Sequence, residues 1–304
     1  MTSKARPSAR RLLTPPGTRE TTAEAGGRWR VLRGTHEGAG VPALLVHGGG
    51  SDHAGISWYH AIGDLARDRP VYAPDLPGCG GSTDVAAAGS AAAIADRLVG
   101  LLDALRVEKV VAIGVSLGGD VVMNLALRHP DRVAALVPVA AGGLIGRFGG
   151  PLMHRVTWLA TRLPDGVVMP ASDFSSRWSE ALFARSVTDV DSLPPEVVAE
   201  YVRESRAPGA GYAYWRYNKA SVGPAGMRND LTGRLGSLEV PTLFLHSPQD
   251  PLVPVEGSRR AAAEMPDARL VEVPGVGHWL PLEAPAVFAR EVGEFAAARG
   301  LSTC

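Results

Sequence analysis

Cysteine is nearly missing from these 304 residues: Cys79 and Cys304 are the two present. With one of them at the terminus, no structural disulfide is expected and no thiolate metal site can be assembled. A reducing, cytoplasmic setting fits that usage. Long apolar runs are missing too. Nothing approaches the ~18 residues a membrane span needs, so no membrane partner is expected. Neither sign of charge is in excess, with 31 basic and 31 acidic residues. Nucleic-acid binding needs a basic surplus that this chain lacks. No His, Asp or Glu cluster has metal-ligand spacing, and neither a metal nor a cofactor is expected. Lysine occurs three times against 28 arginines, which reads as coding bias. Residues 1–18 are basic and include Arg10-Arg11, but the following "LLTPPGT" is no apolar signal core. They are expected to form a flexible tail.

What the chain does have is glycine and short apolar runs. "RETTAEAGG" and "RWRVLRG" read as a hairpin. Strand-like runs at 42–47, 70–74, 109–115, 132–140, 241–247 and 269–274 alternate with helical patterns at 57–68, 89–105, 117–129, 257–265 and 284–299. Such alternation predicts an α/β fold with a mostly parallel sheet flanked by helices. The interval 143–235 breaks the rhythm. It has no clear strand, helical segments read best, and it holds ten of the 18 Phe, Trp and Tyr residues. We expect a core from 19–142 and 236–300 and a helical cap, or lid, at 143–235, inserted after the strand near 132–140.

One serine lies between glycines in "AIGVSLGGD". In so glycine-rich a chain, a bare G-x-S-x-G carries a high false-positive risk. Context decides. Ser116 sits where the strand "KVVAIGV" runs directly into the helix "LGGDVVMNLAL". A residue there must turn sharply, strained and exposed above the sheet. Gly114 and Gly118 are needed because larger side chains would collide with the turn. The following helix N-terminus offers free N–H groups where an oxyanion would develop.

A serine alcohol is a poor nucleophile until a base takes its proton, and that base needs an orienting acid. "LFLHSPQDPLVP" puts Asp250 just past one strand, and "VPGVGHWLPLE" puts His278 just past the next. All three therefore lie at the carboxyl edge of the sheet, where open α/β sheets assemble sites. The loop "LLVHGGGSDHAG" can bring an amide to a carbonyl oxygen. Gly49 is the expected donor, with Gly48 and Gly50 as alternatives, and the Leu117 amide would complete an oxyanion hole. A phosphate loop is excluded by the missing G-K-[ST] ending. His47 is expected to support this loop. His53 and Trp215 of "YAYWRY" are candidates for substrate contact. Cys79 reads as a turn residue. The aromatic insertion and zero net charge suggest an apolar or weakly polar small-molecule substrate.

These motifs, with "PDLPGCGGS" (74–82), resemble the α/β-hydrolase superfamily in its capped branch of esterases and meta-cleavage-product C–C hydrolases. The resemblance spans nearly the whole chain and implies a Ser116–His278–Asp250 triad. Epoxide hydrolases and dehalogenases of that branch carry Asp where this chain has Ser116. "HGGGSDHAGISWY" and "GHW" look like the C–C hydrolase subgroup, in which a tryptophan follows the histidine, making Trp279 a substrate-binding candidate. "EALFARS" is similar to a cap segment whose arginine binds an acidic substrate there. In this chain that residue is Arg185, which we expect outside the pocket, paired with an acid. The glycine loop lacks the subgroup's proline. The leading reading is a serine hydrolase of an ester, thioester or lactone acting through an acyl-enzyme. The alternatives are a C–C hydrolase, a lyase or cyclase using the same triad, and a receptor on a hydrolase scaffold.

Overall fold

A computed structural model describes residues 12–302 apart from Glu37, without the side chains of 171–176. Arg10, Arg11 and Cys304 lie outside the described residues. The strands are β1 (Thr18–Glu24), β2 (Arg28–Gly34), β3 (Ala43–Val46), β4 (Val71–Pro74), β5 (Val110–Val115), β6 (Val133–Val139), β7 (Thr242–His246) and β8 (Ala268–Glu272). They form one sheet in the order β1-β2-β4-β3-β5-β6-β7-β8. The β1–β2 hairpin is antiparallel, as is β2 against β4, and every later pair is parallel.

Alternation along the strands builds two cores. Leu44, Val46, Val110 and Ala112 point to one face, and Ala43, Leu45, Val111, Ile113 and Val115 to the other. The first face is covered by α3 (Ala91–Ala104), α4 (Leu117–Arg128) and α10 (Glu256–Glu264). The second is covered by the short α1 (Ala54–Ser57) and α2 (Ala61–Leu65) and by α12 (Pro285–Ala298), which follows α11 (Leu280–Glu283). The α3 stripe of Ala91, Ile94, Ala95, Leu98, Leu101 and Leu102 has helical spacing, and the Ser90 side chain caps it by accepting from the Ala93 amide. The expected single helix over 57–68 is instead two short ones, because the chain turns at Trp58–His60.

Between β6 and β7 lie five helices: α5 (Pro151–Ala160), α6 (Asp165–Ser175), α7 (Ser179–Ala184), α8 (Pro195–Ser205) and α9 (Tyr212–Ser221). Phe183, Val187, Leu193 and Val197 of this insertion pack on Ile56, Trp279 and Leu282 of the core. Residues 12–17 differ from the loose segment expected. Leu12 is buried, the Leu13 amide donates to Glu200, and the Leu13 carbonyl accepts from Arg30.

Candidate active site

The chain leaves β3, steps to β4 on one side, and returns to β5 on the other. The order of the sheet therefore reverses between β3 and β5, the place at whose carboxyl ends open α/β sheets assemble sites. Ser116 follows β5 directly and precedes the first residue of α4. Its backbone is left-handed, with φ 56° and ψ −118°. For a non-glycine residue that costs of order 1–3 kcal/mol. Three amides, from Gly119, Asp120 and Gly142, point at its carbonyl, and its own amide donates to Val139. The flanking glycines are sterically required: a Cβ at Gly114 would run into the Gly118 carbonyl, and one at Gly118 into that of Val46.

The glycine loop after β3 abuts the serine. A Cβ on Gly48 would lie 3.4 Å from the Ser116 Cβ and 3.5 Å from the Trp279 ring. The Gly48 amide is occupied, donating to Asp52 Oδ2 at 2.6 Å. Asp52 also accepts from the Ser57 hydroxyl. The Gly49 amide has no partner among the described residues, and neither has that of Leu117, the first residue of its helix. Of the three loop glycines weighed from the sequence, Gly48 is thus excluded as a donor. His47 supports the loop, as expected. Its Nδ1 donates to the Gly48 carbonyl at 2.8 Å, and its Nε2 accepts from the Leu76 amide at 2.8 Å.

Asp250 and His278 are brought together, Oδ2 to Nδ1, at 2.8 Å. The other Asp250 oxygen accepts from the Leu252 and Val253 amides. His246 Nε2, which sequence reasoning passed over, lies 3.2 Å from Oδ2. Burial opposes ionisation of Asp250, but the hydrogen bonds from His246, His278 and the Val253 amide outweigh it and hold the carboxyl well below the usual range. An ionised carboxylate only accepts, so Nδ1 of His278 carries a proton, and in the neutral ring the lone pair is on Nε2.

Ser186 of the insertion was also missed. Its carbonyl accepts from the His278 amide at 2.8 Å and its hydroxyl from Trp279 Nε1 at 2.9 Å. In "EALFARS" it is this serine, next to Arg185, that meets the site. Arg185 is exposed, as expected, but forms no ion pair with a described residue. Nothing in the spacing of "EALFARS" distinguishes the two roles.

Three expectations about substrate contact separate. Trp279 is buried beside Gly48, stacked edge-on to His278. His53 is buried with both nitrogens engaged: Nδ1 accepts from the Gly55 amide and Nε2 donates to Glu200 at 3.0 Å. It therefore joins core to insertion rather than facing an open cavity. Trp215 turns away, its Nε1 donating to Asp165 and its ring lying under Lys219. The neighbouring Tyr214 is the aromatic at the site, its ring lying over Gly49. The largely apolar cavity expected beneath the cap is a small pocket of ≈ 10 Å³, lined by Gly49, Leu76, Pro77, Ile94, Leu117 and Tyr214. A larger groove of ≈ 800 Å³ lies on the outside of the insertion, along α8.

His53, Glu200 and Glu204 hold ligand atoms within 4.8 Å of one another. Glu200 already accepts from Leu13, His53 and Arg203, so the group reads as a satisfied polar joint. Cys79 is partly buried; burial, with Asp75, Asp52 and Glu204 nearby, pushes its thiol up to about 12, which leaves no reactive thiolate.

A family model described as alpha/beta hydrolase fold matches residues 42–285. A 2-hydroxymuconate semialdehyde hydrolase from a Pseudomonas species is 29% identical over 268 residues, covering 86% of this chain and 88% of that protein. Among solved structures, a 2-hydroxy-6-oxo-6-phenylhexa-2,4-dienoate hydrolase from a Rhodococcus species aligns with a TM-score of 0.73 at 21% identity, covering 92% of this chain and 99% of that one. At that identity the match bears on the fold alone. A thermophilic esterase from Thermogutta terrifontis aligns with a TM-score of 0.68 at 25% identity, covering 92% and 99%.

Proposed function

Because the chain belongs to the α/β-hydrolase family, we propose that this enzyme is a serine hydrolase of esters, thioesters or lactones of apolar small molecules. The left-handed Ser116 carries the reading: strain of that kind persists at a strand-to-helix turn when the side chain must stand clear of the sheet. Ser116 Oγ adds to the carbonyl carbon as its proton passes to Nε2 of His278. Asp250 holds the imidazole and stabilises the imidazolium. The Gly49 and Leu117 amides stabilise the oxyanion. Collapse breaks the bond to the leaving alcohol or thiol, which takes the proton from His278. Water repeats the sequence, releasing the acid and restoring Ser116.

C–C bond hydrolysis is the second reading, favoured by the 29% identical Pseudomonas relative. The exposure of Arg185 weighs against it, since the arginine of the similar cap segment in that subgroup binds the acidic substrate. Rates on p-nitrophenyl acetate and on 2-hydroxymuconate semialdehyde separate the two readings. With either substrate, Ser116→Ala is expected to abolish acyl transfer and fluorophosphonate labelling while the fold remains. Wild-type turnover in that variant refutes the mechanism.

A further inference from the structure

Helix α5 is amphipathic in the reverse sense to the rest of the fold. Leu152, Val156 and Leu159 follow at steps of four and three, so they share one face. That face is in solvent: Leu152 is 78% exposed, and Met153, Val156 and Leu159 are each more than half exposed. Phe148 before the helix and Leu163 and Val167 after it are exposed as well. The inward face carries His154, Thr157 and Trp158. His154 is buried, with Nδ1 accepting from the Phe148 amide and Nε2 donating to the Gly223 carbonyl at 2.9 Å. Thr161 is buried beyond it. The hydrogen bonds of His154 and the half-buried Trp158 hold α5 to the protein, and most of the surface of its leucines is left in solvent.

The charge beside this stripe is of one sign. From Arg147 to Pro164 there are three arginines and no acid. Arg155 on α5 and Arg162 in the turn that follows the helix are exposed and pair with no described residue. The next acid, Asp165, is taken by Lys219 and Trp215. A second copy of this face, packed isologously, would set arginines against arginines. Residues 1–11 carry Lys4, Arg6, Arg10 and Arg11 and no acid, so they are equally unsuited to cover it. No helix among the described residues is long and apolar enough to cross a membrane. An apolar stripe on a short helix, with unpaired arginines on that helix and in the turn after it, suits the boundary of an anionic bilayer, with the leucines among acyl chains and the guanidinium groups at headgroup phosphates. We propose that the outer face of α5 and the turn into α6 dock this protein on an anionic lipid surface, where apolar substrates concentrate.

The test is co-sedimentation of the full-length protein with vesicles of phosphatidylcholine alone and with 30% phosphatidylglycerol. Binding is expected to be roughly tenfold stronger to the anionic vesicles and to weaken in 0.5 M salt. The triple variant Leu152→Ser, Val156→Ser, Leu159→Ser should lose binding while remaining folded with a cooperative melting transition, since more than half of each side chain is already in water. Arg155→Glu with Arg162→Glu should remove the preference for anionic lipid. Absence of binding by wild type, or binding that neither variant weakens, overturns the proposal. So does a wild-type dimer that the serine variant dissociates, which would assign the face to a second copy.

Discussion

At the residue scale, the candidate site depends on hydrogen bonds that fix the direction of a few atoms. Asp250 is held by two amides and two imidazoles, so its carboxylate cannot turn away from His278. Asp250→Asn offers an amide where Nδ1–H needs an acceptor, which favours the wrong imidazole tautomer. Steady-state kinetics should show kcat reduced by up to about 10⁴-fold. Near-normal kcat would point to another acid. Tyr214 acts by volume. Its ring over Gly49 leaves a cavity that barely admits one water, so short acyl groups are expected to be preferred. Tyr214→Ala should raise kcat/KM for p-nitrophenyl octanoate relative to acetate by about tenfold, the scale on which a pocket reads added methylenes. An unchanged ratio would place the acyl group elsewhere.

At the element scale, α4 and α9 meet at Asp120, buried one turn into α4. It accepts from Asn124, from the Tyr217 hydroxyl at 2.8 Å and from Asn229 at 2.7 Å. Burial pushes its carboxyl up to about 6, against the hydrogen bonds from Asn229, Tyr217 and Asn124 that favour ionisation. Its ordinary value is 3.8, so between the two the folded protein binds a proton that the unfolded chain does not. This group therefore stabilises the fold at low pH, and that contribution is lost as pH rises through about 6. Asp120→Asn is neutral throughout. Its Tm should exceed that of wild type at pH 8, with the difference shrinking toward zero near pH 4. A constant difference across that range would mean that Asp120 stays ionised. Tyr217 also stacks under Tyr214 at 5.9 Å, so the joint that titrates supports the ring over Gly49.

At the scale of the whole molecule, the helical insertion rests on the core through polar joints as well as apolar packing. Tyr217 meets Asp120, Ser186 meets His278 and Trp279, and Glu200 meets His53. The last also gathers the N-terminal segment through the Leu13 amide. Glu200→Ala would leave the buried His53 donor without its acceptor, at about 1–3 kcal/mol, and would free the partly buried Leu13 amide. Hydrogen exchange should then quicken in α8 and residues 12–14 while β5 and β6 keep their protection. Uniform loss of protection would mean that core and insertion unfold as one unit.

Period-two alternation, capped amphipathic helices and a serine at a strand-to-helix junction are local patterns, and the residues carried them plainly. The parallel sheet, the helical insertion, the left-handed Ser116 and the Asp250–His278 pair were all legible because each depends on a short window or on the end of a recognisable strand. The direction in which a side chain points across an interface depends on both partners. His53 read as a pocket residue until Glu200, 147 positions away, took its Nε2. Trp215 and Tyr214 are neighbours on α9, and the helix turn alone sends one to Asp165 and the other to Gly49. Arg185 attracted attention for its charge, yet the uncharged Ser186 holds the histidine loop. A helical pattern was legible over α5, but only the assembled insertion shows that its leucines face solvent while His154 and Trp158 turn inward.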